Sequence, residues 1–264
     1  MLAFPWPAGA RRYKPPTGNP PDGSFGSNGS RGCDLNKDRP QLEQMQGKEE
    51  TRPSQVARTK SVPITLLAPL SHVGRTSALT PTLAWFVSAS QPYRVKVSIF
   101  TFDADQSSTL LHELEYVETN SGLVHYTLPE DKSNLQTGQR YFVELSVACD
   151  PTSARYNQTF IAEIDVEAPS PALTQAISQA RTPSQKAQHY AEAGYWFDTV
   201  RELLSAATEI QSYALLRFRL KELAGAEKNP EHRQGLLQIA ETLDDASLKA
   251  SDPSENLDRS SATP

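Results

Sequence analysis

The feature that most constrains this chain is a change of hydrophobic period at Glu167-Ala168-Pro169. Ahead of that point apolar residues alternate at every second position, the rhythm of half-buried strands. Behind it they recur three and four apart, the rhythm of amphipathic helices. A chain of 264 residues that makes this switch once reads as two consecutive parts. The predicted fold class is therefore α+β in two parts, an antiparallel β-sandwich followed by a small α-helical subdomain.

Seven alternating runs precede the switch, at 62–68 (Ile64, Leu66), 80–88 (Leu83, Trp85, Val87), 93–102 (Tyr93, Val95, Val97, Ile99), 110–117 (Leu114, Tyr116), 122–128 (Val124, Tyr126, Leu128), 140–149 and 156–166 (Phe160, Ala162, Ile164, Val166). Short strands at this spacing, separated by turn residues, predict a sandwich of immunoglobulin or fibronectin type. The run from Tyr141 to Asp150 alternates most cleanly, with Tyr141, Val143, Leu145, Val147 and Cys149 on one side and Glu144, Ser146 and Asp150 on the other. Cys149 is thus expected to face a core. Just upstream, Leu135-x-x-Gly138-x-x-Tyr141 resembles the corner at which a tyrosine hydroxyl bonds back to upstream backbone.

After the switch, Ser170-Pro171 and Thr182-Pro183 both read as an N-cap followed by proline in the first helical turn. The first helix carries Leu173, Ala176, Ile177 and Ala180. The second carries Ala187, Tyr190 and Ala191 and is expected to stop at Gly194. A third runs through Trp196, Val200, Leu203, Leu204 and Ala207, a fourth through Tyr213, Leu216, Leu220 and Leu223. The fifth follows Asn229-Pro230 with Leu236, Ile239, Ala240 and Leu243. Ala187 to Ala207 resembles one tetratricopeptide-type hairpin, but no period of about 34 residues repeats, which argues against an array.

Residues 1–60 are rich in Pro, Gly, Ser, Asn and charge and nearly lack Val, Ile and Phe. Such a segment cannot bury enough apolar area to offset its chain entropy, so a disordered arm is expected there. The resulting division is an arm at 1–60, a β-sandwich at 61–168, a helical subdomain at 169–246 and a disordered polar tail at 247–264. Met1-Leu-Ala-Phe-Pro-Trp-Pro-Ala is too short and proline-rich for a signal-peptide apolar region, and Arg11, Arg12 and Lys14 come after it instead of before.

A net charge of −5 with no basic cluster argues against a dedicated nucleic-acid binder. No apolar run approaches the roughly 20 residues of a membrane helix. The five histidines (His72, His112, His125, His189 and His232) stand far apart, without metal-ligand spacing. Asp103-x-Asp105 opens like a calcium loop, yet Ser108 and Leu114 occupy the glycine and glutamate positions that such a loop needs. The Gly23–Gly29 stretch lacks the Lys-Ser/Thr ending of a phosphate loop, and no Gly-x-Ser-x-Gly elbow occurs. No catalytic, metal or cofactor-binding residue is predicted, and no cofactor.

Two readings remain open for the chain's two cysteines, Cys33 and Cys149. Bonded, they close a loop on the order of a hundred residues, to which the loop-entropy relation assigns about 4–5 kcal/mol as an upper figure. That disulfide pins the arm to the sandwich, and it is the preferred reading because Gly32-Cys33-Asp34 otherwise stands isolated in the arm. Unbonded, one thiol is buried and the other lies in the arm. Tyr195, Trp196 and Phe197 concentrate three aromatics at a helix-to-helix turn. They are read either as an interaction surface or as a plug between the two parts.

Four segments also carry a family resemblance: Ser30-Arg-Gly-Cys-Asp-Leu-Asn-Lys-Asp-Arg-Pro40, the run from Leu66 to Val87 with Leu79-Thr-Pro-Thr-Leu-Ala-Trp-Phe86, Tyr141 through Cys149-Asp-Pro151, and Tyr190-Ala-Glu-Ala-Gly-Tyr-Trp-Phe-Asp198. In this order they resemble the cyanobacterial family catalogued as domain of unknown function 928, over roughly residues 30 to 220. The resemblance implies a cyanobacterial source and a periplasmic or extracellular setting, although the chain as written shows no export signal. It implies no activity and no site residues. The expectation is a non-enzymatic interaction or structural protein of the cell envelope, with a protein partner preferred over a small molecule. The alternative is a glycan or small-molecule binding domain with a cleft between sandwich and helices.

Overall fold

The computed structural model describes residues 12–16, 64–88, 93–102, 108–148, 158–206 and 210–250, the last segment with side chains over 212–243. Eight strands and five α-helices occur among them: β1 (Ile64–Leu66), β2 (Gly74–Thr76), β3 (Thr82–Val87), β4 (Tyr93–Phe102), β5 (Ser108–Thr119), β6 (Gly122–Thr127), β7 (Gln139–Ala148), β8 (Gln158–Val166), then α1 (Pro171–Gln179), α2 (Pro183–Glu192), α3 (Trp196–Ser205), α4 (Ile210–Ala226) and α5 (Pro230–Ala250). The strands form a three-stranded sheet in the order β1-β3-β6 and a five-stranded sheet in the order β2-β8-β7-β4-β5.

The expectation of a wholly antiparallel immunoglobulin-type sandwich is corrected here. Every pair is antiparallel except β2 with β8, which run parallel from Gly74↔Ile164 to Thr76↔Val166. The molecule is a mixed 3+5 β region followed by a five-helix subdomain. Strand β2 escapes sequence reading because Gly-Arg-Thr is too short to show a period. Its glycine is dictated by packing, since a Cβ at Gly74 would stand 2.5 Å from the ring of Phe197 in α3.

Strand β7 holds the middle of the five-stranded sheet, as its alternation requires. Tyr141, Val143, Leu145 and Val147 are buried in one core with Val95, Val97 and Ile99 of β4 and Phe160, Ala162, Ile164 and Val166 of β8. The predicted corner also forms: the backbone N–H of Gln136 donates to the Tyr141 hydroxyl at 2.8 Å. Gly138 turns the chain at φ +86°, a conformation that favours glycine.

In β3 the pattern is not half-buried. Leu83, Trp85 and Val87 enter the shared core, yet Ala84 and Phe86 on the opposite face are buried too. Thr65, the register partner of Phe86, lies against α5, where a Cβ at Gly235 would meet its Oγ1 at 2.9 Å. Helices therefore cover the second face of the small sheet, and a strand enclosed on both sides loses its polar alternation.

The helical starts follow the sequence closely. Ser170 and Thr182 each accept a bond from the third residue onward, Leu173 and Gln185, with proline in the first turn. Gly194 ends the second helix at φ +83°. Asn229 caps α5 through its Oδ1, which accepts from the N–H groups of Glu231 and His232. Among the described residues no helix is long and apolar enough to cross a membrane.

Candidate functional site

Loop 67–73, between β1 and β2, is where the helices meet the sheets, and it gathers most of the buried polar groups at the joint. Past Leu67, whose N–H still donates to the Ala84 carbonyl of β3 at 2.8 Å, its backbone has left the ladders and needs other partners. The indole N–H of Trp196, at the start of α3, donates to the carbonyl of Leu67 at 2.8 Å. His232 Nε2 bonds the carbonyl of Ala68 at 2.9 Å, which fixes the proton on that nitrogen because a carbonyl only accepts. Glu227, between α4 and α5, accepts from Leu70 N–H at 2.9 Å and from Ser71 N–H at 3.3 Å. Its other oxygen accepts the Ser71 hydroxyl proton at 2.7 Å. The same hydroxyl accepts from Lys228 N–H at 2.8 Å.

Tyr13 extends this cluster from far upstream. Residues 12–16 fall within the segment expected to be unstructured, and the structure differs there. Tyr13 is 5% exposed, with its ring edge-on to Trp196 at 5.2 Å between centroids. Its hydroxyl pairs with His72 Nε2 at 3.0 Å. Its N–H donates to Glu222 Oε2 at 3.1 Å, and Lys14 N–H donates to the carbonyl of Ala191 at 3.2 Å. The lone Tyr-Lys-Pro-Pro in the polar arm was the signal available for this contact.

Electrostatics follow from burial. The Tyr13 hydroxyl is pushed well above its ordinary value by desolvation, with the charge of Glu227 adding to it. Desolvation also lowers the pKa of His72 and of His232, and the attraction of Glu227 only partly opposes it. Both rings are therefore neutral at pH 7. His72 Nδ1 lies 4.0 Å from Glu227, too far for a hydrogen bond.

A second buried carboxylate joins α3 to the residue after β2. Asp198 accepts the N–H and the hydroxyl of Ser77, both at 2.8 Å, and faces Arg201 at 3.2 Å. Desolvation raises its pKa against those partners.

Neither cluster offers reactive geometry. The Ser71 proton points to a carboxylate instead of a basic imidazole, so that hydroxyl is not activated as a nucleophile. Among the described residues no group of three or more His, Cys, Asp or Glu is gathered to hold a metal. His72 and His232, which the sequence leaves far apart, both come under the charge of Glu227, while His232 Nδ1 is buried without a hydrogen-bond partner.

The predicted site residues fall as follows. Tyr195, Trp196 and Phe197 are 5%, 0% and 2% exposed, so the interaction-surface reading is corrected. They plug the joint: Trp196 is bonded to Leu67, Phe197 seats over Gly74, and the Tyr195 hydroxyl donates to the Ala168 carbonyl at 3.1 Å. Cys33 and Cys149, together with the disulfide proposed for them, lie outside the described residues, as do Asp103 and Asp105.

The family model described as Domain of Unknown Function (DUF928) matches residues 46–226. The chain belongs to that family. The matched span contains three of the four resembling segments and omits Ser30–Pro40. It also contains His72, Gly194, Trp196 and Glu222 but not Tyr13, so this DUF928 chain packs a segment from outside the family region onto the family fold. Among curated proteins none matches the sequence. A solved structure, described as a lytic polysaccharide monooxygenase important for efficient utilization of chitin in Cellvibrio japonicus, is 13% identical with a TM-score of 0.27. That likeness covers 38% of this chain and 58% of the other, and a score so low carries no statement about fold or activity.

Proposed function

We propose that this DUF928 protein is a non-enzymatic interaction or structural module, working in the cyanobacterial cell envelope. One observation carries the reading. The buried ionisable and hydroxyl groups at the joint hold loop 67–73, Ser77 and the helices together, and Ser71, Glu227, Asp198 and His232 each bond the fold's own backbone or side chains. The envelope setting rests on the family resemblance alone. The alternative, a glycan or small molecule in a cleft between sheets and helices, has no support at the joint, where Tyr13, Trp196 and Phe197 fill the space.

The test is a broad hydrolase and transferase substrate screen on the purified full chain, paired with fractionation of native cells. No turnover and an extracytoplasmic protein are expected. Reproducible turnover that survives repurification overturns the non-enzymatic reading, and a protein confined to the cytosol overturns the setting.

A further inference from the structure

Segment 12–16 is a surface strap held at few points. Arg12, Lys14 and Pro15 are exposed, and Tyr13 is the one residue of the five that is fully buried. Two main-chain N–H groups fix the strap to the helices, Tyr13 to Glu222 of α4 and Lys14 to Ala191 of α2. A segment with one anchor and two backbone bonds opens locally at far lower cost than the sheets and helices beneath it. Its third attachment is chemically different. The Tyr13 hydroxyl meets His72 Nε2 at 3.0 Å, and imidazole is the side chain whose charge changes near neutral pH.

The surroundings of His72 decide which way that bond runs. Nδ1 lies 4.0 Å from Glu227 Oε1, so the neutral ring keeps its proton on the carboxylate side and presents the Nε2 lone pair to Tyr13. Burial and the charge of Glu227 keep the Tyr13 hydroxyl protonated, which makes it the donor. A second proton on His72 then enters only at Nε2, the atom that accepts from Tyr13. It displaces the hydroxyl proton from its acceptor and places a cation against a buried phenol. Glu227 and Lys228, from the turn between α4 and α5, act on the ring in opposite senses, and Arg75 of β2 acts on the Tyr13 hydroxyl. His232 of α5 titrates under the same Glu227. Desolvation outweighs the attraction of Glu227, so the docked His72 ring takes its proton less readily than an ordinary imidazole.

We propose that segment 12–16 is an acid-released strap, docked through Tyr13 while His72 is neutral and freed when His72 takes a proton at Nε2. Release uncovers His72, Glu222 and the edge of Trp196, which the Tyr13 ring covers at 5.2 Å between centroids. It needs no second chain and no unfolding of the joint, because the bonds of His232 to Ala68 and of Glu227 to loop 67–73 do not involve the strap. Once the strap leaves, the ring regains solvent and returns toward 6.5. Docking is therefore full above pH 6.5 and weakens as pH falls through the lowered value of the docked ring.

The first measurement follows hydrogen exchange of the Tyr13 and Lys14 amides in the full chain from pH 8 to pH 5, corrected for intrinsic exchange, while circular dichroism confirms that the chain stays folded. Protection of these two amides should fall by between about threefold and about thirtyfold, the upper figure being the most that one proton on a group of pKa 6.5 shifts an equilibrium at pH 5. His72→Gln keeps an acceptor for Tyr13 but takes no proton, and should flatten the profile. His232→Gln should leave the fall in place. A smaller fall in the wild type, an unchanged fall in His72→Gln, or a profile flattened by His232→Gln overturns the inference.

The reciprocal measurement stands even if His72→Gln does not fold. By linkage, removing the strap raises the proton affinity of His72 by the factor by which the proton weakens the strap. Followed by NMR, the His72 ring should titrate at higher pH, closer to 6.5, in full-length Tyr13→Ala than in the wild-type chain. Equal midpoints in the two chains overturn the coupling.

Discussion

The core around β7 and the joint around loop 67–73 are built on opposite plans. The first is apolar and periodic: Val143, Leu145 and Val147 meet register partners on β4 and β8 and require little more than alternation. The second is polar and aperiodic, and Glu227 reaches Leu70 across 157 residues of chain. An apolar core tolerates repacking, because hydrophobic contact is non-directional and volume-conserving changes lose little. A joint of buried directional bonds does not, because removing one partner strands another in a dry site. The difference predicts where single substitutions unfold the protein and where they only soften it.

The largest effect is expected at Trp196, which combines both plans: a fully buried ring and a bonded indole N–H. Trp196→Ala should lower unfolding free energy by about 3–5 kcal/mol, read by urea denaturation. A loss below about 1 kcal/mol would mean that the joint contributes little. Next comes Glu227→Ala, which leaves the N–H groups of Leu70 and Ser71 without their acceptor. At about 1–3 kcal/mol for each buried group left unsatisfied, a loss of roughly 3 kcal/mol is expected. The smaller deletion Val143→Ala sharpens the contrast by testing the apolar core in the same assay.

Acid should distinguish the regions as well. Burial lowers the pKa of His72 and His232 in the folded chain from the ordinary 6.5, so between the two values the unfolded chain binds more protons. The stability they contribute is full above pH 6.5 and is lost as pH falls through the lowered values. Glu227 and Lys228 face His72, and Glu227 faces His232, so the response belongs to the cluster. Urea midpoints measured from pH 8 down to pH 5 should fall in the wild type and fall less in His232→Gln. Equal slopes would contradict the assignment. The smallest effect is expected at the corner, where Tyr141→Phe deletes one hydroxyl bond to Gln136 and should cost about 1 kcal/mol in the same denaturation assay.

What sequence could disclose follows the same division. The caps Ser170-Pro171 and Thr182-Pro183, the stop at Gly194 and the corner at Tyr141 are local signals, each complete within a few residues, and each forms as its residues dictate. The long strands β4, β7 and β8 of the five-stranded sheet show their period because one face of each packs into the shared core. Strand β2 was illegible because three residues hold no period and its parallel partner β8 lies some ninety residues downstream. The both-sided burial of β3 depends on α5, which no local pattern in Thr82–Val87 can reveal. Tyr13, His72, Glu227 and His232 were invisible as a group because hydrogen bonding between distant residues leaves no spacing to read. The aromatic run Tyr195–Phe197 was visible, but only packing could settle that it faces inward.

Native-state hydrogen exchange on Glu227→Ala tests most directly whether the polar joint holds the helices onto the sheets. Amides of α4 and α5 should lose protection by the full destabilisation of the variant while those of β7 lose less, so that the helices open before the sheet core. Helical amides as protected as in the wild type, or α5 and β7 losing protection in equal measure, would contradict a lock centred on Glu227.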